Sequence, residues 1–210
     1  MKMLSRNQAK EIVASNGDLS DCDLSGTNLS ELDLSAVQLI RSNLSRADIS
    51  NAVLIRTDLS GSELISANLG VSNLTGAVLN RCKLTMTDLS FSTLIGANFG
   101  AAILTGANLS LSNLSCSVFR NADLTAADLS GSNLKNVELI NANFTASDLT
   151  DADLRGAKLA GSNFTRAKID GIVLDEDIKL SILKIIISFN QAYLREGFLR
   201  KASSRLLSLP

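Results

Sequence analysis

Residues 101–130 read AAILTGANLSLSNLSCSVFRNADLTAADLS, and every fifth position from Leu104 is Leu or Phe: Leu104, Leu109, Leu114, Phe119, Leu124 and Leu129. The same step runs outward in both directions without a slip. It begins at Leu19 and ends at Leu174, giving 32 consecutive centres, of which 26 are Leu, four Phe and two Ile. Two residues before the centre stands a small residue (Ala, Ser, Thr, Cys or Gly) in 28 of the 32 repeats; the exceptions are Leu32, Val37, Val137 and Ile172. The position just before the centre is mostly Asp or Asn, and the one just after is mostly Ser or Thr.

A period of five fits neither an amphipathic helix at 3.6 residues nor a strand at 2.0. It is natural if the chain turns a corner every five residues, so that four repeats close a square coil of about 20 residues. Side chains alternate along extended backbone, which sends the centre and the small residue two before it inward together. The other three positions face water. Coils then stack by backbone hydrogen bonds at roughly 4.8 Å, and eight coils make a rod of roughly 38 Å. Each coil buries itself only against its neighbours, so stability is of the nearest-neighbour kind. Residues 20 apart must stack. Phe99 with Phe119, and Phe144 with Phe164, obey that spacing and predict two stacked ring pairs. Leu32 and Ile172 fall on one column in the first and last coils, where a bulky inward side chain lacks a neighbouring layer on one side.

The motif, as in Gly106-Ala107-Asn108-Leu109-Ser110 and Ala127-Asp128-Leu129-Ser130, resembles the pentapeptide-repeat family of A(D/N)LXX type over residues 17–176. That resemblance implies an all-β fold, a right-handed quadrilateral β-helix. Periodicity alone gives the square coil and not its hand. The domain reading is an N-terminal cap over 1–16, the solenoid over 17–176, and a C-terminal helical cap over 177–210. Ser5 to Ala14 is expected to be a short helix with Ile12 and Val13 covering the first coil. Ile178, Ile182, Ile185, Ile186 and Phe189 can cover the last. A further apolar group, Tyr193, Leu194, Phe198 and Leu199, is either part of that cap or a contact for a homodimer or a partner helix. Dimerisation through the C-terminal end is what the resemblance implies.

Composition supports a narrow core. Apolar residues make up 45% of the chain, enough for a core, but aromatics only 4%, with no Trp and no His. The absence of His removes a His-based triad or general base, and with it zinc sites of the Cys/His kind. No phosphate-binding glycine motif stands in a strand–helix context. No catalytic residue, metal ligand or cofactor is expected, and the chain is read as not an enzyme. Asp and Asn recur because the repeat wants them outward, so paired carboxylates follow from the scaffold. Cys22 and Cys82 sit at inward small positions and Cys116 at an outward one. Free thiols suit a reducing compartment. The first 16 residues show no continuous apolar run, and the run Ile182–Phe189 is too short to span a bilayer and includes Lys184. A cytoplasmic protein is expected, with secretion without a cleavable signal as the alternative.

Formal net charge is −1, so no whole-molecule field draws nucleic acid or a membrane. A protein partner is the expectation. Counting modulo 20 puts Val71, Phe91 and Leu111 in one outward column, with Val53, Ile55 and Ile95 on the adjoining face. These six residues are the candidate partner patch. Arg41, Arg46, Arg56 and Arg81 form a second, basic candidate. The leading function is a non-enzymatic scaffold that presents a rigid surface to a protein. Two alternatives stay open, both drawn from the resemblance. One is a DNA mimic that binds a type II topoisomerase and protects it from quinolones, for which the column Asp48, Asp88, Asp128, Asp148 is relevant although it ends in Lys168. The other is a secreted bacterial effector, or a fragment of one.

Overall fold

A computed structural model describes residues 1–15 and 17–175. Its dominant feature is a ladder of parallel bridges in which residue i pairs with i+20, from Asp23↔Asn43 and Asn28↔Asp48 to Asp153↔Val173. Four such columns run down the rod. Each is named here by its inward leucine: the Leu24, Leu29, Leu34 and Leu39 faces. The predicted ring pairs are present: Phe99 lies on Phe119 at 4.5 Å and 7°, and Phe144 on Phe164 at 4.9 Å and 2°. Those distances match the rung spacing of stacked strands.

One side of one coil shows why the repeat has its composition. Ala67 N–H donates to Leu64 C=O at 3.0 Å, closing the preceding turn, and Asn68 N–H reaches back a coil to Ala47 C=O at 2.9 Å. Leu69 and Val71 N–H reach forward to Asp88 and Ser90 C=O at 2.7 and 2.9 Å. The fifth donor, Gly70 N–H, is taken at 3.0 Å by Asn68 Oδ1. Every backbone donor of the side is bonded, which a buried ladder requires. The Asp or Asn before the centre is thus a local acceptor for the amide two residues on, the arrangement such side chains favour. The inward small position is also explained. Its hydroxyls donate to centre carbonyls, as Ser72 Oγ does to Ile49 C=O at 2.8 Å and Ser132 Oγ to Leu129 C=O at 2.6 Å. Among the described residues no buried side-chain polar atom lacks a partner.

The corner two residues after each centre is left-handed at every turn from Asp21 to Gly171, with φ between 54° and 73°. A left-handed residue closing a turn of this kind is ordinary for Gly or Asn and uncommon for bulky side chains.

At the N-terminal end, β1 (Lys2–Met3) pairs in parallel with β2 (Cys22–Asp23), again at i to i+20. Leu4 follows in the inward phase, 2% exposed, and its N–H donates to Asp23 C=O at 2.9 Å. The segment read as a cap therefore also supplies a rung on the Leu24 face. Helix α1 (Arg6–Ala14) follows, with Ser5 and Gln8 forming a reciprocal capping box. Ala9 is fully buried on the first coil, with Ile12 and Val13 packed beside it, as expected. The helix leaves through Gly17, where any Cβ would lie 2.6 Å from Ile12 Cγ2. Arg6 completes this end. Its guanidinium donates to Asn28 C=O at 2.8 Å and to Ser30 C=O at 2.9 Å. These are the two carbonyls that a preceding coil would have bonded on the Leu29 face. Tyr193, Leu194, Phe198 and Leu199, with the rest of the expected C-terminal cap and contact, lie outside the described residues.

Candidate protein-binding ridge

The corner between the Leu29 and Leu34 faces reads Glu31, Asn51, Val71, Phe91, Leu111, Gly131, Asp151. Val71, Phe91 and Leu111 are 60%, 60% and 56% exposed, on three adjacent coils. Their φ angles are 61°, 57° and 57°. Across all left-handed corners from 21 to 171, Val71 is the sole β-branched residue, Phe91 the sole aromatic and Leu111 the sole leucine. All three occupy one column. A left-handed conformation costs an L-residue roughly 1–2 kcal/mol, and a β-branched or bulky side chain there is an outlier. Solvent-exposed apolar groups recover little of that cost. Leu111 leans along the rod over Gly131, where a Cβ would meet its Cδ2 at 2.7 Å.

The other members of the candidate patch lie where the column arithmetic puts them, on the Leu34 face. Ile95 is exposed, whereas Val53 and Ile55 are half-buried. The far edge of that face carries Gly76 and Gly96, and at Gly96 nothing stands within 4 Å of an added Cβ. The ridge therefore borders a low, partly apolar face whose opposite side is open at Gly96 and lined by the Arg56 side chain at Gly76. Sequence reasoning passed over other exposed apolar residues, among them Ile65, Met86 and Ile103 on the Leu24 face and its edge. The same modulo-20 count would have found Met86, whose sulfur covers Gly106.

The basic candidate does not assemble. Arg41 and Arg81 share one corner, Arg46 stands on a second and Arg56 on a third. Arg41 is also held by Asp21 through Nε and Nη2 at 2.9 and 2.6 Å. The acidic column on the Leu29 face is real but diluted. Asn68 Nδ2 donates to Asp48 and Asn108 Nδ2 to Asp88, at 3.2 and 3.1 Å, and Lys168 pairs with Asp148 at 2.8 Å.

The strongest carboxylate perturbations belong to surface ion pairs. Arg120 and Lys158 bracket Glu138 and hold its carboxyl down at about 2. Arg155, joined by Lys135, does the same for Asp153, also to about 2. Burial pushes the Cys82 thiol up to about 12, and its Sγ contacts Leu59 C=O at 2.9 Å, which makes it a core filler. Cys22 is half-buried and Cys116 is exposed at a corner. Among the described residues no group of His, Cys, Asp or Glu is arranged to hold a metal ion, and no helix is long and apolar enough to cross a membrane.

The family model described as pentapeptide repeats matches residues 18–54, 42–70, 72–110, 102–139 and 138–175, in eight copies. The chain belongs to the pentapeptide repeat family. Among solved pentapeptide repeat structures, a trypsin-treated form of QnrB1, described as a plasmid-mediated fluoroquinolone resistance protein, is 20% identical over 79% of this chain and 95% of its own, with a TM-score of 0.56. That likeness shows the shared fold, the right-handed β-helix of pentapeptide repeat proteins. HetL, described as involved in heterocyst differentiation regulation in the cyanobacterium Nostoc, is 27% identical over 82% of this chain and 98% of its own, with a TM-score of 0.36. A search of curated proteins returns no match.

Proposed function

We propose that this pentapeptide repeat protein is a non-enzymatic scaffold that binds a protein partner through the ridge Val71, Phe91 and Leu111, with Val53, Ile55 and Ile95 completing the contact. One observation carries the reading: of the four large apolar residues at left-handed corners, Val71, Phe91 and Leu111 share one column and the fourth, Met86, stands on another; the three are exposed where they strain the backbone and add little to the core. Strain retained without a structural return points to function. A few buried anchors, aromatic residues prominent among them, carry most of the energy of a protein interface, which makes Phe91 the leading anchor of the ridge.

The test is affinity capture from the cells that produce the protein, with Phe91→Asp and Leu111→Asp compared with the unaltered chain. Asp is among the residues that tolerate a left-handed φ, so both variants should fold. The expected result is a specific partner recovered by the unaltered chain and lost by both variants. Equal recovery by all three would overturn the reading.

Duplex mimicry is supported less well. It needs a dense row of phosphate-like charge. Residues 18–175 hold 17 acidic side chains against 11 basic. The acidic column is interrupted by Asn68 and Asn108 and closes on the Asp148–Lys168 pair. No effect on supercoiling by a type II topoisomerase is expected, with or without a quinolone.

A further inference from the structure

The ridge has two different flanks. On the Leu34 side, Ile55 and Ile95 are 40 residues apart, which is two coils or roughly 9.6 Å along the rod. Val71 and Leu111 are separated by the same two coils. Three extended residues make up each side of the square, a width of roughly 10 Å, about that of one α-helix. At the far edge the Arg56 side chain lies over Gly76, with its Cγ 3.5 Å from an added Cβ, and Gly96 leaves the edge open. On the Leu29 side of the ridge stand Asp48, Asp88 and Asp128, again two coils apart. From residue 47 to residue 151, that face and both its edges carry no lysine or arginine.

Seven residues of α-helix rise roughly 10.5 Å, close to two coils. A helix lying across the rod would cover about two coils, fewer than the three that the ridge spans, whereas a helix lying along it meets the ridge at about one turn per coil. We propose that the ridge and the Leu34 face seat a single amphipathic α-helix of the partner, laid along the rod axis. Its apolar stripe faces Ile55, Ile95 and the ridge. The flank that overhangs the ridge carries lysine or arginine at seven-residue spacing, set against Asp88 and Asp128. This rests on the ridge being the binding surface and names what binds there.

The experiment uses the full chain and two labelled synthetic 22-residue helices, read by fluorescence anisotropy. Both have leucine at positions 1, 4, 8, 11, 15 and 18. One carries lysine at every seventh position of one flank, the other glutamate. The lysine helix should bind about fivefold more tightly than the glutamate helix at low salt, and the difference should shrink as salt rises. Asp88→Asn with Asp128→Asn should abolish the difference. Asn already fills positions 68 and 108 of that column with its Oδ1 accepting the same amide, so the double variant keeps the fold. Phe91→Asn should weaken both helices about tenfold. Equal binding of the two helices, absence of binding by both, or indifference to Phe91→Asn would overturn the proposal. If cellular capture still depends on Phe91 and Leu111 while the helices fail, the ridge stands and the helical partner falls. If both fail, the ridge itself is refuted.

Discussion

The first coil and the ridge are both places where the solenoid's pattern runs out, and the chain treats them in opposite ways. At the first coil an open edge is covered. Leu4 supplies a rung, Ala9 seals the leucine layer, and Arg6 stands in for two missing backbone donors. On the ridge, three large apolar side chains stay open on strained corners. An open strand edge is a liability for folding and aggregation, so its cover contributes to stability. An exposed apolar corner contributes almost nothing to the fold, and under the proposed function its return comes from a partner.

That contrast sets the order of expected effects. The largest belongs to the inside of the rod. Leu109→Ala, beneath the ridge, leaves a cavity in a layer with no room to collapse and should cost about 2–5 kcal/mol in chemical denaturation. A loss below about 1 kcal/mol would mean that the layers are not tightly packed. Next comes the covered end. Arg6→Ala removes the charged donors from Asn28 and Ser30 and should cost about 1–3 kcal/mol, with hydrogen exchange rising first in residues 19–38. Arg6→Lys should recover part of that, since an ammonium cannot span both carbonyls as a fork does.

The ridge should behave in reverse. Phe91→Asn and Val71→Gly relieve left-handed strain and should leave stability unchanged or raise it by up to about 1 kcal/mol, while partner capture is lost. A loss of more than about 1 kcal/mol would make these residues structural and erase the contrast. The smallest effect is electrostatic. Glu138 and Asp153 have folded-state values near 2, below their ordinary 4.5 and 3.8. A depressed carboxyl stabilises the fold above its unfolded value and loses that contribution as pH falls through the folded one. Stability should therefore drop slightly between about pH 4.5 and 2, and Glu138→Gln with Asp153→Asn should flatten that part of an acid titration.

The fold was legible because period five admits few geometries. The Phe99–Phe119 and Phe144–Phe164 spacings tested it before any coordinate. The helix over 5–14 and its packing residues were readable too. The rung at Leu4 was missed although it stands on the same phase as Leu19, three steps back. The helical pattern between them hid it, because Ala9 and Ala14 keep the phase without looking like centres. The role of Arg6 was not readable at all, since a side chain replacing backbone donors leaves no periodic trace. The ridge column came directly from counting modulo 20. Its strain did not, because the sequence says which residues face outward but not that every corner is left-handed. The basic candidate dissolved for the converse reason. Arg41, Arg46 and Arg56 are near one another along the chain but turn to three different corners.

The uniform corner has one more consequence. Excising a whole repeat, for instance residues 76–80, would leave every remaining leucine pointing inward and each hydrogen-bonded rung still available. Everything downstream would turn by a quarter revolution. Gly96 would then follow Val71 in its column, and Phe91 and Leu111 would move together to the neighbouring edge. Composition, length to within five residues and core would hardly change, yet the row of three would be split. In a molecule built this way, the count of repeats between two exposed residues decides whether they share a surface.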